Sequence, residues 1–451
     1  MDVGVGDYED DELLYISQED YSDILTLQSD HPQWLMCTTG VVQSLQQLLT
    51  KIVAFAVLKR ILVAVSASGK LSIHALNVCM ALCGMYVLWA HNDTLVHVVM
   101  FTALLILLIY FARFLKNLFG FIAILCGIGS LLLWQYFLSA EKYMSMRGTL
   151  MIIVMKVISL CFDIVDEGIG DGVTLSTLFG YLFDPCTVLF GPWMPLKQYE
   201  ESLYRKSFKE ELSGMLYAAI LLATSLIFVT YSSCITELLF PGSGFWHAFG
   251  VAQSFRFSHY FISWLSAASA VASGAPSGVV ADWISIEWPR SLVDVVVSWS
   301  IPMHRFLQKY IFLEVRRYGA AAAIFFTYMV SSLLHGINFQ LSAVLLSLGL
   351  YTYVETRVRS KLSARFSSCI GARKCRTNCV HLRKKDAVST IVLNMLFRIV
   401  AIVHLVYLGM VFDDSAAESG YSAKHTITIW ASWHFASHAI AIFMLFVSFL
   451  L

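Results

Sequence analysis

The chain has 451 residues, of which 58% are hydrophobic and 14% charged, with a formal net charge of +0 and a mean hydropathy of +0.69. Soluble globular proteins carry about 25% charged residues, so this chain lacks the charge to clothe a water-facing surface and reads as an integral membrane protein. Balanced charge and the lack of a Walker loop or Rossmann glycine fingerprint argue against nucleic-acid binding and nucleotide-fold chemistry.

Residues 1–33 carry many acids, among them Asp2, Asp7, Glu9, Asp10, Asp11 and Glu12, and no Lys or Arg. This composition predicts an acidic, disordered tail over 1–45, with the membrane domain occupying 46–451. The first 30 residues lack a basic start and a long apolar core. No cleavable signal peptide is therefore expected, and the first spanning helix is expected to target the chain. Apolar runs follow at 51–67, 71–90, 94–112 and 117–140. The stretch 148–194 is apolar but interrupted by Lys156, Asp163, Asp166, Asp184 and Pro185. Further runs lie at 211–233, 246–270, 318–339, 340–358, 388–412 and 426–451. A bilayer is crossed by about 20 apolar residues. The pattern predicts an all-α polytopic bundle of about 10–12 membrane segments.

The loop 357–385 holds many cations, including Arg357, Arg365, Arg373, Arg383 and Lys385, and no acid, so it is expected in the cytosol. Arg113 with Lys116, Arg205 with Lys206 and Lys209, and Lys309 with Arg316 and Arg317 mark further cytosolic loops. Counting crossings from these puts the N-terminus, the acidic loop 413–419 and the sequon Asn92-Asp93-Thr94 in the lumen. The sequon lies so close to two helices that it is expected to stay unmodified. The stretch 148–194 must then cross an odd number of times. With two apolar pieces, it is expected to contain a re-entrant or broken helix, which membrane depth tolerates only under cover of protein or a watery cavity. Cys79, Cys83, Cys126 and Cys161 lie within apolar runs and read as packed small hydrophobes. No disulfide framework is expected.

His335 is the candidate centre. At helical spacing Ser331, Ser332, His335 and Asn338 share one face of the run 318–339, and a polar stripe on an apolar helix turns inward. A buried imidazole suits a general base; interhelical packing glue explains it equally well. The turn Trp299-Ser300-Ile301-Pro302-Met303-His304, followed by Tyr310, reads as a polar site or as an interfacial aromatic belt with a proline bend. Phe255-Arg256-Phe257-Ser258-His259-Tyr260 reads as a site or as an interfacial run with a snorkelling arginine. Cys369, Cys375, Cys379 and His381 are zinc candidates, but no C-x-x-C is present, and free or acylated thiols suit the spacing better. Residue chemistry alone leaves an enzyme, a transporter and a receptor open.

The pairing of Trp299-Ser300-x-Pro302-Met303-His304 with Ser332-Leu333-Leu334-His335-Gly336 resembles the membrane-bound O-acyltransferase family, and most nearly its members that acylate Wnt proteins. The runs Arg147-Gly148, Met155-Lys156, Phe162-Asp163, Gly180-Tyr181-Leu182, Phe190-Gly191-Pro192-Trp193, Trp288-Pro289-Arg290-Ser291 and Leu341 to Leu348 strengthen the likeness, which covers residues from about 145 onward. The resemblance implies a helical bundle with broken helices around a central tunnel, in the endoplasmic reticulum membrane. Fatty acyl-CoA, specifically palmitoleoyl-CoA, would enter from the cytosol as co-substrate, with no other cofactor and no catalytic metal. A serine hydroxyl of a Wnt protein would approach from the lumen. His335 would be the general base. Ser300 stands where the family commonly has Asn or Asp, so its hydroxyl would have to serve the thioester carbonyl directly or through a water. Trp299, His304, Tyr310, Arg256, His259 and Ser332 would bind substrate or acyl-CoA. The alternatives are an acyltransferase acting on a lipid, a sterol, or a ghrelin-like or Hedgehog-like protein, or a transporter or scaffold without enzymatic activity.

Overall fold

A computed structural model of the chain describes residues 32–90, 94–112, 114, 118–167, 173–276, 278–376, 378–413 and 422–451. Most of the acidic tail, the sequon residues Asn92 and Asp93, and the loop acids Asp414 and Glu418 lie outside the described residues. Among the described residues the protein is helical, with one isolated backbone bridge between Ser368 and Arg383 and no strand.

The first five helices are α1 (Gln33–Ala67), α2 (Ile73–Trp89), α3 (Leu95–Ala112), α4 (Phe119–Phe137) and α5 (Ala140–Glu167). Two short helices, α6 (Leu175–Leu182) and α7 (Leu196–Ser202), precede α8 (Phe208–Thr230), which runs on through a π-helical turn to Leu239. After α9 (Phe245–Ala272) come the short α10 (Trp283–Glu287), α11 (Leu292–Trp299) and α12 (Ile301–Leu307). The chain ends with α13 (Ala320–Leu334), α14 (Phe339–Arg365), α15 (Val388–Gly409), α16 (Ala423–Ser432) and α17 (Ala436–Leu450). Helix starts are written in local chemistry. Ser72, Thr174, Asn338 and Ser422 each accept a hydrogen bond from a backbone N–H of the first turn, and Ser207 with Glu210 forms a capping box.

Among the described residues four helices are long and apolar enough to cross a membrane, α4, α5, the extended α8 and α15; the pair α16–α17, bent by 72°, makes a fifth if it is one span. The apolar α2, α3 and α13 are shorter. The longer α1, α9 and α14 carry buried charged residues, such as Lys59, Arg256 and Arg359. This is a polytopic helical membrane bundle, as the composition requires.

The irregular stretch behaves as expected of backbone that must be covered. Among the described residues of this stretch α5 alone is a full-length helix; the later segment forms α6 and a run of turns over 183–190 that is almost wholly buried. Its polar groups are matched by charges from neighbouring helices. Lys59 of α1 pairs with Asp184 at 2.8 Å, and both are about 1% exposed. Lys156 of α5 donates to the Tyr181 carbonyl at 2.7 Å and to Thr187 Oγ1 at 3.0 Å. Unpaired, such charges cost several kcal/mol each.

The structure corrects three expectations. The tail boundary at residue 45 falls inside α1, which begins at Gln33, because the apolar face of residues 41–49 packs on the second core described below. Cys37 and Cys234 form a disulfide with Cα atoms 5.8 Å apart, tying α1 to the end of α8; the sequence separation of 197 residues hid this pairing. The expected helix 318–339 stops at Leu334, and Asn338 caps α14 through its bond from Leu341 N–H instead of sharing the helical face of His335.

Among the described residues two large apolar cores form, with a small third cluster of Ala218, Leu221, Ala267, Ala268, Val271 and Val280 between α8 and α9. The first core gathers α2 to α6 with Phe306, Tyr310 and Leu334; the second gathers α8, α9, α11 and α14 to α17. The Trp299–Ser300 break between α11 and α12 lies at the edge of the second core, with Trp299 packed against it.

Candidate functional site

A 15-residue helix such as α13 rises about 22 Å, short of the roughly 30 Å of bilayer hydrocarbon. Its C-terminal turn, residues 335–338, ends the helix, where backbone groups lose their intrahelical partners and need others. Gln135 at the end of α4 supplies them: its Nε2 donates to the Ile337 carbonyl at 2.9 Å and its Oε1 accepts from the Ile337 N–H at 2.7 Å. Gly336 takes a φ of +81°, and a Cβ there would lie 2.7 Å from both Gln135 Oε1 and the Tyr143 hydroxyl. Only glycine makes this turn without strain.

The turn presents His335 as the C-cap of α13, partly buried. Its ring makes no hydrogen bond among the described residues, so both nitrogens are available to a ligand. Arg147 of α5 and His259 of α9 are close enough to act on it electrostatically. The hydroxyl of Tyr143, beside Gly336, is buried and without a partner.

His259 stacks on Trp299 with ring centres 4.4 Å apart and planes 11° from parallel. Its Nε2 lies 2.8 Å from the Trp299 carbonyl and 3.3 Å from Ser263 Oγ. That contact holds the break between α11 and α12, where Ser300 adopts extended backbone (φ −146°, ψ 95°). Two backbone bonds pin the break to a neighbouring strap: Ile301 N–H donates to the Val280 carbonyl and Asp282 N–H to the Ser298 carbonyl. The Ser300 hydroxyl caps neither helix. His259 thus joins the Trp299–Ser300 break to the surroundings of His335, with contributions from α9, α11 and α13.

The other expected site residues are engaged elsewhere. Arg256 is locked to Glu287 by bonds of 2.7 and 2.9 Å, with the Tyr260 hydroxyl on the same carboxylate at 2.8 Å; it braces α9 against α10. Ser332 donates to Ser342 Oγ at 2.6 Å and ties α13 to α14. The Tyr310 hydroxyl donates to Asp163 at 2.9 Å, beside Lys309 at 2.7 Å from the same carboxylate. His304 lies within electrostatic range of Arg305 and of Arg373 from the basic loop.

Tyr310 also lines a cavity of about 340 Å³ with Trp193, Ala270, Val280, Pro302 and Arg305. Through Val271, Ala275 and Val279 it adjoins a groove of about 520 Å³ that carries Lys206 and Lys209. Apolar walls with cations at the mouth suit an amphiphile with an anionic head. Sequence reading missed Gln135 and Tyr143 altogether. Tyr143 and Arg147 stand one helical turn apart at the start of α5, which is a usable signal; Gln135, one amide at the end of an apolar run, offers almost none.

No protein-family model matches the chain. It is similar to proteins named protein-serine O-palmitoleoyltransferase porcupine. The one from Anopheles gambiae is 34% identical over 73% of this chain and 74% of the relative. The mouse and human proteins are 33% and 32% identical, each over 76% of this chain and 82% of the relative.

Proposed function

The chain belongs to the porcupine family of protein-serine O-palmitoleoyltransferases, and from that premise we propose that it moves palmitoleate from coenzyme A to a serine hydroxyl of a Wnt protein at the endoplasmic reticulum membrane. The observation that carries the site assignment is the imidazole of His335, which has no hydrogen-bond partner among the described residues and is displayed by a turn that Gln135 holds on both sides.

His335 accepts the serine proton as the oxygen attacks the thioester carbonyl. The tetrahedral intermediate collapses with cleavage of the C–S bond, and the imidazolium returns the proton to the leaving sulfur. The products are the oxygen ester and free CoA. Charge that develops on the carbonyl oxygen needs a donor. Ser300, with an uncommitted hydroxyl, and Arg147, within electrostatic range of His335, are the groups that can supply one. Binding of the donor is assigned to the paired cavity and groove, with Lys206, Lys209 and Arg305 at the CoA phosphates and the apolar wall along the pantetheine and acyl chain. His259 and Trp299 act as a stacked pair that sets the Ser300 break.

Orientation follows from the same residues. Arg60 near the end of α1 bonds Glu211 at the start of α8, and Lys309 bonds Asp163 toward the end of α5. These pairs gather the helix ends that the cation-rich loops place in the cytosol. The Cys37–Cys234 disulfide joins the opposite ends of α1 and α8, and a disulfide belongs to the oxidising lumen. The N-terminus and the acceptor's approach are then lumenal, and the donor cavity cytosolic.

The test is acyl transfer by purified protein from palmitoleoyl-CoA to a Wnt-derived serine peptide, read by mass spectrometry. His335→Ala should lower the rate by about 10²–10⁴-fold, the usual worth of a general base, while acyl-CoA binding persists. A near-normal rate for that variant removes His335 from the mechanism.

A further inference from the structure

The connection between α14 and α15 carries no helix of its own and is crowded with like charges: Arg373, Lys374, Arg376, Arg383, Lys384 and Lys385. Loops longer than about 12–15 residues without secondary structure are uncommon in compact domains, and a cationic one repels itself. Something must hold this one closed. Four side chains converge inside it. Cys369 Sγ lies 3.3 Å from Cys379 Sγ and 3.7 Å from His381 Nδ1, and Cys375 Sγ lies 3.5 Å from the same nitrogen. All four ligand atoms fall within 4.8 Å of one another.

We propose that Cys369, Cys375, Cys379 and His381 bind one Zn²⁺ in a closed structural site that fastens the basic loop to the helix carrying Trp299. A tetrahedral zinc with Zn–S of about 2.3 Å and Zn–N of about 2.0–2.1 Å demands S···N edges of about 3.5 Å and S···S edges of about 3.8 Å. The observed S···N separations match. The sulfur pair is somewhat tighter than that edge, yet far beyond the roughly 2.05 Å of a disulfide. Hydrogen bonding around the imidazole is what a zinc ligand needs. Ser363 Oγ donates to the Ser368 carbonyl at 2.6 Å, so its lone pair, 3.2 Å away, is left to accept from His381 Nε2–H. That fixes the tautomer with a bare Nδ1 aimed at the three sulfurs, the second-shell arrangement of metal-bound histidines.

Charge also balances. Three thiolates and Zn²⁺ sum to −1, with the thiol protons released on binding. Lys384 Nζ, 3.7 Å from Cys379 Sγ and bonded to the Cys379 carbonyl, offsets it. Cys369 is buried and the other three ligands partly so, with no position left open for water chemistry.

The site reaches the catalytic region through backbone. Arg290 donates to the Cys369 carbonyl at 2.7 Å and to the Gly371 carbonyl at 3.2 Å, and Ser291 Oγ donates to the Ala372 carbonyl at 3.0 Å. These residues open α11, whose last residue is Trp299. A metal-set knuckle is therefore the cytosolic footing of the helix that ends at the Ser300 break.

Full-length protein, purified in detergent without a metal-affinity step, should contain about one zinc per chain by elemental analysis. In it Cys369, Cys375 and Cys379 should resist alkylation until phenanthroline strips the metal. Cys375→Ser and His381→Ala should lose zinc by tenfold or more, whereas His381→Cys, which completes a four-sulfur set, should retain it. Stripped wild-type protein should also become sensitive to protease within 371–387. Protein free of zinc with all three thiols open to alkylation, or with a Cys369–Cys379 disulfide in the peptide map, overturns the proposal. Both readings come from wild-type protein, so a variant that fails to fold does not decide the matter.

Discussion

Gln135→Ala should cripple catalysis from a position that touches neither substrate. The side chain gives the Ile337 backbone both of its hydrogen bonds, at 2.7 and 2.9 Å. A hydrogen bond of this kind contributes about 0.5–1.5 kcal/mol, so losing both removes about 1–3 kcal/mol of what holds the turn. The segment's own backbone bonds run from His335 N–H to the Ser332 carbonyl, from Gly336 N–H to the Leu333 carbonyl and from Ser342 N–H to the Asn338 carbonyl. None of these reaches Ile337, so without Gln135 the segment 335–338 is expected to shift until its backbone finds new partners. A displacement of about 1 Å at a reacting group lowers rates by about 10²-fold. The expected result is a fall in kcat of about that size with KM for palmitoleoyl-CoA nearly unchanged, since the residues lining the donor cavity are untouched. Gln135→Glu separates the two halves of the clamp: it still accepts from Ile337 N–H but sets a carboxylate against the carbonyl, so it should resemble alanine. The assay is initial-rate acylation of a serine peptide alongside equilibrium binding of a non-transferable acyl-CoA analogue. If kcat for Gln135→Ala stays within about twofold while His335→Ala is dead, the clamp does not position the histidine and the reasoning fails.

Three further outcomes follow from the packing. Gly84 lets α2 lie against the Phe183 carbonyl, and a Cβ there would sit 1.7 Å from that oxygen; Gly84→Ala should cost about 3 kcal/mol, the upper end of overpacking, and a thermal-shift midpoint equal to the parent's would contradict it. Asp184→Asn strands the buried Lys59 ammonium and should destabilise by about 3–5 kcal/mol, whereas Lys59→Met with Asp184→Asn should recover most of the loss in the same assay. Ser300→Asn installs a preorganised donor at the helix break and should hold or raise kcat, while Ser300→Ala lowers it. Equal rates for all three forms would leave Ser300 as a turn residue only.

By itself the sequence determined the membrane character, the main helices and the cation-rich faces, because transfer of some 20 residues into a bilayer depends on those residues alone. It singled out His335 and the Trp299–Ser300 turn, and it named the three cysteines and His381. It could not apportion the polar residues between chemistry and bracing. Arg256 and Tyr310 read as binding groups, and each is held by a carboxylate from another helix, Glu287 and Asp163, while Tyr310 also lines the cavity. Asn338 fell on the histidine's face only while the helix was drawn through Gly336; the positive φ at that glycine ends it and turns Asn338 into a cap. The clamp at Ile337 comes from a residue 202 positions away, and the disulfide joins cysteines 197 apart. Helix formation is settled within a few turns of chain, where hydropathy and capping are legible. Which imidazole stays free, and which glutamine holds its turn, is settled by how helices distant in sequence pack on one another, and only the tertiary structure carries that information.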